Sequence, residues 1–513
     1  MAKVNLDALI AREDFEVEEV ISSGKKKETL SIEDIKTDSF FFSNLRKPDF
    51  QRETNEWESS KVSELISSFL AGDLIPAIIL WRSAGGYLFV IDGSHRLSAL
   101  AAWVNDDYGD GNASKIFYDG VVPEEQLRIA DETRKLVNKT VGSYADYRLA
   151  LSHPEKVLPE IVRNAKNLGA LAIQLQWVEG DAGKAESSFF KINQQAAPID
   201  KTELRLLKDR RKPSSIAARA IIRSGKGHKY WSSFSGENQN EIQALAAEIN
   251  EILFTPRLQT PIKTLDLPVA GKLSAAQTLP LIVDMISIIT NKAEHEDDES
   301  GEPTIQVLKS VRKIAYVMNS NHASSLGLHP AVYFYSQEGR HKSASFLGMI
   351  DYVGRLVKQG KLRDFIEVRS KLENFLLKHD YLIQQINRKY RVAAISHPHV
   401  SRFIEIAVGG YKNNLGTDDV IKTIQTADGF GYISIQEQPE RTTASGAKFS
   451  SDAKSAVYLR EVLQSAPRCG ICDGFVHRNS ISIDHIERRQ DGGTGSMDNG
   501  QLTHPYCNTG YKN

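Results

Sequence analysis

The chain has 513 residues and three cysteines, Cys469, Cys472 and Cys507, all in its last 45 positions. They form two knuckle-like pairs, Cys469-x-x-Cys472 and His504-x-x-Cys507, separated by about thirty residues. Two such pairs can close a tetrahedral Cys3His zinc site. An odd, clustered set in a long chain argues against a disulfide framework. Three incidental cysteines would be the bland alternative, and the lack of any cysteine elsewhere argues against it. A structural zinc supplies on the order of 10 kcal/mol of apparent folding free energy. That would let so short a segment, with few large apolar residues, hold a fold.

Between the pairs lies ISIDHIERRQDGGTGSMDNGQL. The strand-like ISIDHI carries Asp484 and His485, a Gly-rich turn follows at Gly492-Gly493, and then comes Asn499. Beyond the second pair stand Asn508 and Lys512. In order and spacing this closely resembles the HNH endonuclease family: a CxxC, then DHI, a GG loop, a DN leading into an apolar residue, and a final CN followed by a lysine. The resemblance covers about 45 residues and implies a ββα-metal fold that cuts phosphodiesters. Such cleavage needs an activated water, a cation to answer charge on a phosphorane-like transition state, and a proton for the leaving oxygen. His485 is placed as general base, a role worth about 10²–10⁴ in rate. Asp484 and Asn508, the latter on a short closing helix, would hold one Mg²⁺ or Mn²⁺ through hard oxygen ligands. By family analogy Asn499 orients the loop bearing His485. The family's last position is often histidine, so Asn508 leaves the preferred metal open. A buried structural histidine is the alternative for His485; its neighbour Asp484 and the zinc frame argue against it.

Near the other end, YLFVIDGSHRLSALAAWV reads as strand, tight turn and helix. Asp92-Gly93-Ser94-His95-Arg96 sits at the turn, where outward N–H groups of the helix start and Arg96 make an anion site for phosphates. Alone, such a turn defaults to helix capping. It is accompanied upstream by Phe50-Gln51-Arg52, Trp57 and Ile75-Pro76, and downstream by SSFFKINQQAAPIDKTEL with Phe190, Asn193 and Pro198. This ordered set, over about residues 40–212, is similar to the N-terminal domain of GmrSD-type modification-dependent restriction enzymes and to SspE-type phosphorothioate-sensing effectors, within the broader ParB/sulfiredoxin-like group. The resemblance implies nucleotide (NTP) binding with hydrolysis, coupled to sensing DNA. Its candidates are Gln51, Arg52, Asp92, Gly93, Ser94, His95, Arg96 and Asn193. Asp92 would bind a metal or activate water, and Arg52 and Arg96 would contact phosphates. Where those domains carry DGQQR this chain has DGSHR, nearer to the DGQHR of DndB-like proteins and the GCHR of sulfiredoxins. Ser94 stands in place of the sulfiredoxin cysteine, which excludes thiol redox chemistry there.

The expected fold class is therefore multidomain α+β. Residues 1–45 are a lead-in whose Lys25–Lys27 run reads as a solvated face, and 46–212 form the ParB/sulfiredoxin-like sensor. Residues 213–438 show i, i+3, i+4 apolar spacing and form a mostly α-helical middle. Residues 439–455 are a polar linker, and 456–513 the nuclease domain. The middle suits a relay, a surface for homo-oligomer formation or a DNA clamp. A formal net charge of -1 means that DNA affinity must come from locally concentrated positive charge. The opening twenty residues lack a secretory pattern, and LPLIVDMISII is too short to span a bilayer, so a cytoplasmic protein is expected, with no membrane partner. The function expected is a DNA endonuclease of a bacterial anti-phage restriction system that senses DNA modification through an NTP-binding domain. The alternative is a nucleotide-switched DNA-binding protein with a structural zinc knuckle.

Overall fold

In a computed structural model, residues 3–13, 25–48, 51, 54, 57–118, 122, 124–196, 209–226, 230–271, 275–291, 296–435 and 448–512 are described. The chain divides into two units, Met1–Arg210 with Lys226–Tyr230, and Arg211–Gly225 with Trp231–Asn513.

The first unit is built on short strands whose successive apolar side chains are buried on opposite faces of a sheet. Strands β1 (Arg12–Glu13), β2 (Thr29–Ser31), β3 (Leu45–Pro48), β4 (Ile78–Arg82), β5 (Leu88–Asp92) and β6 (Ala172–Val178) form one mixed sheet in the order β1-β3-β5-β4-β6-β2. On β4 and β5, Ile78, Leu80 and Val90 share a core with Ile66, Phe69, Leu97 and Leu100. Trp81, Phe89 and Ile91 join Ala185 and Phe189 in a second cluster. Both faces are thus covered, by helices Ser59–Ala71 and Ser94–Asn105 on one side and Ala182–Ala196 on the other. The β4–β5 hairpin turns at Gly86, whose φ of +87° suits glycine.

Residues 1–45, read from sequence as a lead-in, supply β1 and β2 to this sheet. A buried ionic cluster fixes them. Asp7 pairs with Arg12 at 2.8 Å and with Lys47 at 2.7 Å, with all three side chains closed to solvent. Its carboxylate also accepts from the Thr54 amide at 2.9 Å. The Lys25–Lys27 run is partly engaged within the unit: Lys26 pairs with Glu179 and Lys27 with Asp34.

In the second unit, helix Gly236–Phe254 packs on Glu302–Met318, and Ser343–Gln359 on Ala393–Lys412. The spacing of Leu308, Val311, Ala315 and Met318, all buried, explains the amphipathic faces. The cysteine-bearing segment belongs to the same unit. Helix Ser451–Gln464 begins inside the stretch read as linker and docks there, Ser455 Oγ accepting from the Ile262 amide at 3.0 Å. Residues 436–447 lie outside the described residues. Among the described residues no helix is long and apolar enough to cross a membrane.

Replacing Asp7 by alanine removes a carboxylate shared by two buried cations. It is expected to cost the first unit about 3–5 kcal/mol, measured by chemical denaturation; a loss below about 1 kcal/mol would show that the cluster does not hold the N-terminal strands.

Candidate functional site

The four predicted zinc ligands converge. One donor atom from each of Cys469, Cys472, His504 and Cys507 lies within 4.8 Å of all the others, as a tetrahedral Zn²⁺ with three sulfurs and one nitrogen requires. His504 Nδ1 faces the sulfurs, 3.4 Å from Cys472 Sγ, while its Nε2 contacts the Phe475 carbonyl at 3.0 Å and so fixes the ring. Burial, reinforced by the nearby Arg369 charge, holds His504 below the ordinary histidine value, favouring the neutral form that ligates. Hydrogen bonds from Cys472 and Cys507 hold the Cys469 thiol far below its usual value, and contact with Cys469 pushes Cys472 and Cys507 up, so the cluster by itself favours one thiolate shared among three sulfurs. The chemistry and spacing of this donor set fit zinc.

Helix Leu362–Lys378 supplies the outer support. Arg369 and Glu373, one turn apart and fully buried, pair at 2.7 Å. Arg369 donates to the Leu326 and Gly327 carbonyls and lies 3.2 Å from His504 Nδ1. Glu373 accepts from the Phe475 amide at 2.7 Å and from the Tyr333 hydroxyl at 2.9 Å. Three thiolates around one Zn²⁺ leave a net negative charge, which this guanidinium answers. Gly474 permits the approach: a Cβ there would sit 2.5 Å from Arg369 Nε, a group locked by its own hydrogen bonds.

From this frame run β7 (Ser482–His485) and β8 (Gly500–Thr503), an antiparallel pair with Asp484 opposite Gln501 and His485 opposite Gly500. Asp484 is buried, and its Oδ2 accepts from Gln501 at 2.8 Å and Lys512 at 2.6 Å. Lys512 Nζ also donates to the His485 carbonyl, so an ammonium sits between two oxygens. Arg489 Nε approaches His485 Nε2 at 3.4 Å. Asn499 ties down the loop that follows: its Oδ1 accepts from the Glu487 amide at 2.7 Å, and its Nδ2 donates to the Glu487 and Thr494 carbonyls. Asn508 lies on a single helical turn, Cys507–Tyr511. Its Nδ2 donates to Ser482 Oγ at 2.8 Å and the Ile483 carbonyl at 3.2 Å. Asn508 and Lys512 therefore both reach β7, at Ser482 and at Asp484. Gln501 and the contact made by Lys512 were not anticipated from sequence, because both depend on cross-strand register and on the final turn.

In the first unit, β5 ends at Asp92, and Gly93 turns the chain into helix Ser94–Asn105 with φ +95°. A Cβ at Gly93 would lie 3.0 Å from Arg96 Nη2 and 3.1 Å from Ile78 Cγ1. Asp92 and Arg96 pair at 2.9 Å, and Arg96 also donates to the Ala77 carbonyl. Ser94 is buried, and His95 stacks on Trp57 with centroids 5.6 Å apart. Gln51, buried, donates to the Val90 carbonyl at 3.3 Å. Gln51 Oε1 and Arg96 Nε are buried without a hydrogen-bond partner among the described residues. Arg52 and the side chain of Asn193 lie outside the described residues.

Residues 469–513 match the family described as HNH endonuclease. The Cys3His cluster and the β7–β8 pair thus lie within an HNH endonuclease domain. Residues 30–212 match the GmrSD restriction endonuclease, N-terminal domain. No curated protein and no solved structure matches the chain. The chain joins a GmrSD-type N-terminal domain to a C-terminal HNH domain and is a nuclease of restriction type, with DNA as its substrate.

Elemental analysis is expected to find one zinc per chain, and Cys507→Ser should abolish it. Arg369→Ala should destabilise the second unit by about 3–5 kcal/mol, because it leaves Glu373 buried and unpaired, and should speed zinc loss to a chelator. Wild-type zinc retention in Arg369→Ala would remove the guanidinium from this role.

Proposed function

We propose that this chain is a cytoplasmic anti-phage effector. Its N-terminal domain reads the modification state of DNA with an NTP as switch, and its HNH domain cuts the DNA with a divalent ion. The observation that carries the nuclease half is the cation position beside Asp484. The ammonium of Lys512 lies between the Asp484 carboxylate and the His485 carbonyl, the oxygen-donor chemistry that suits a hard divalent ion.

In this reading Asp484 and the amide oxygen of Asn508 hold Mg²⁺ or Mn²⁺, with the nitrogen of Asn508 committed to β7. The ion supplies Lewis acidity at the phosphoryl oxygen. His485 takes the proton of the attacking water. The Arg489 contact at Nε2 is consistent with a ring that accepts there. Asn499 keeps the 487–494 loop from shifting the His485 end of β7. Lys512 shares the Asp484 carboxylate and brings positive charge of the chain's own beside the phosphate.

For the nucleotide half, the support is the pair of buried atoms Gln51 Oε1, beside β5, and Arg96 Nε, on the helix after it, which have no hydrogen-bond partner among the described residues. Such atoms are costly unless a polar ligand meets them. The start of helix Ser94–Asn105, with Arg96, suits triphosphate oxygens, and Asp92 would carry the metal or the hydrolytic water.

The test is plasmid nicking with Mg²⁺ or Mn²⁺ on unmodified, glucosylated-cytosine and phosphorothioate DNA, with and without NTP. His485→Ala is expected to slow cutting by about 10²–10⁴. Cutting by the parent should differ among the three DNAs, and Arg96→Ala should lose the response to NTP. Tight DNA binding with no nicking of any substrate, unaffected by His485→Ala, would favour the nucleotide-switched binding protein instead.

A further inference from the structure

We infer that the seam between helices Glu302–Met318 and Ser343–Gln359 is a track for the phosphate backbone of the DNA presented to the HNH site. The inference rests on the nuclease reading above and assigns a task to the helical region. A groove of about 410 Å³ there is lined by Lys309, Arg312, Lys313, Tyr316, His322 and Tyr506 among others, and no carboxylate lines it. A second groove of about 210 Å³ continues the seam. Lys313 and Val357 line both, and Arg355, Lys358 and one carboxylate, Asp351, lie beyond.

The cations fall into two groups. Lys309 is paired with Glu241, Arg312 with Glu248, and Arg355 with Asp351 and Glu405. These pairs brace the walls. Lys313, Lys358 and Lys361 are exposed and make no ion pair among the described residues. Side chains of this second kind, spread along an open seam, suit a polyanion. A small anion would call for convergent, buried donors. The rings of Tyr316 and His322 stack at 4.6 Å and within 3° of parallel, adding a flat face beside the charges.

The seam is continuous with the catalytic turn. Tyr506 lines the first groove, immediately precedes the zinc ligand Cys507, and donates its amide to the Ser325 carbonyl at 3.0 Å. Thr509 Oγ1 donates to the Ala323 carbonyl at 2.8 Å. Arg363 donates to the Gly510 carbonyl at 3.2 Å, with its guanidinium over the Tyr511 ring. A backbone held in the groove is thereby registered to the turn that carries Asn508 and Lys512. A chain of formal net charge -1 needs such a local concentration of free cations to hold DNA.

The experiment uses the full chain carrying His485→Ala, so that duplex DNA stays intact, and measures binding by fluorescence anisotropy across a salt series. Adding Lys313→Ala and Lys358→Ala is expected to lower the slope of log affinity against log salt by about 2, and to weaken binding on the order of ten- to a hundredfold near 0.1 M salt. Zinc content and melting temperature should match the parent. Lys313→Arg with Lys358→Arg should restore the slope. An unchanged slope and affinity in the alanine variant overturns the track while leaving the nuclease reading intact. If the His485→Ala parent binds no duplex at any salt, the nuclease reading fails and takes the track with it.

Discussion

A guanidinium with no access to water holds the nuclease domain in place. Arg369 is fully buried between a helix and the zinc knuckle, and a charge in that position persists only when it is paired and its donors are met. Glu373 and two backbone carbonyls meet them, and three thiolates around a bound zinc would add negative charge beside them. Because Glu373 also binds the Phe475 amide, the knuckle and the helix are fixed by the same pair. The β7–β8 strands extend from that anchored knuckle, so the positions of Asp484 and His485 follow from it.

The first unit uses the same physics at a different place. Asp7 neutralises two buried cations and so binds residues 3–13 to β3 and to Thr54. That stretch leads through Gln51 to Val90 on β5, whose end carries the DGSHR turn. At both sites the candidate residues sit at the end of a short strand, and a buried ionic group elsewhere supplies the stiffness that a few strand residues cannot.

What could be read from the sequence was the chemistry encoded at local spacing. The Cys and His pairs, the Asp484-His485 strand and the DGSHR turn after a hairpin all declare themselves within a few residues. The unbroken apolar run Ile78 to Trp81 fits a strand covered on both faces, where successive side chains are buried on opposite sides. The two- and three-residue strands β1 and β2 carry no such signal, which is why the N-terminal segment read as a lead-in. Arg369 and Glu373 look in sequence like any solvated i, i+4 pair on a helix; only packing shows that they are buried. Gln501 and Lys512 meet Asp484 through register and through a turn; Lys512 belongs to the linear motif, but neither contact can be read from it. The fixed place of the cysteine-bearing segment on the helices is hidden for the same reason: its contacts come from residues more than a hundred positions away.

In the proposed function a divalent ion at Asp484, in a frame held by a separate structural zinc, would serve DNA cutting. Plasmid cleavage by the intact chain, assayed after brief EDTA treatment and again after adding back Mg²⁺ or Mn²⁺, with zinc content measured in parallel, tests it most directly. Cleavage is expected to stop and return while one zinc per chain is retained throughout. Cleavage that persists without a free divalent ion, or that follows zinc content and not added Mg²⁺ or Mn²⁺, would contradict it.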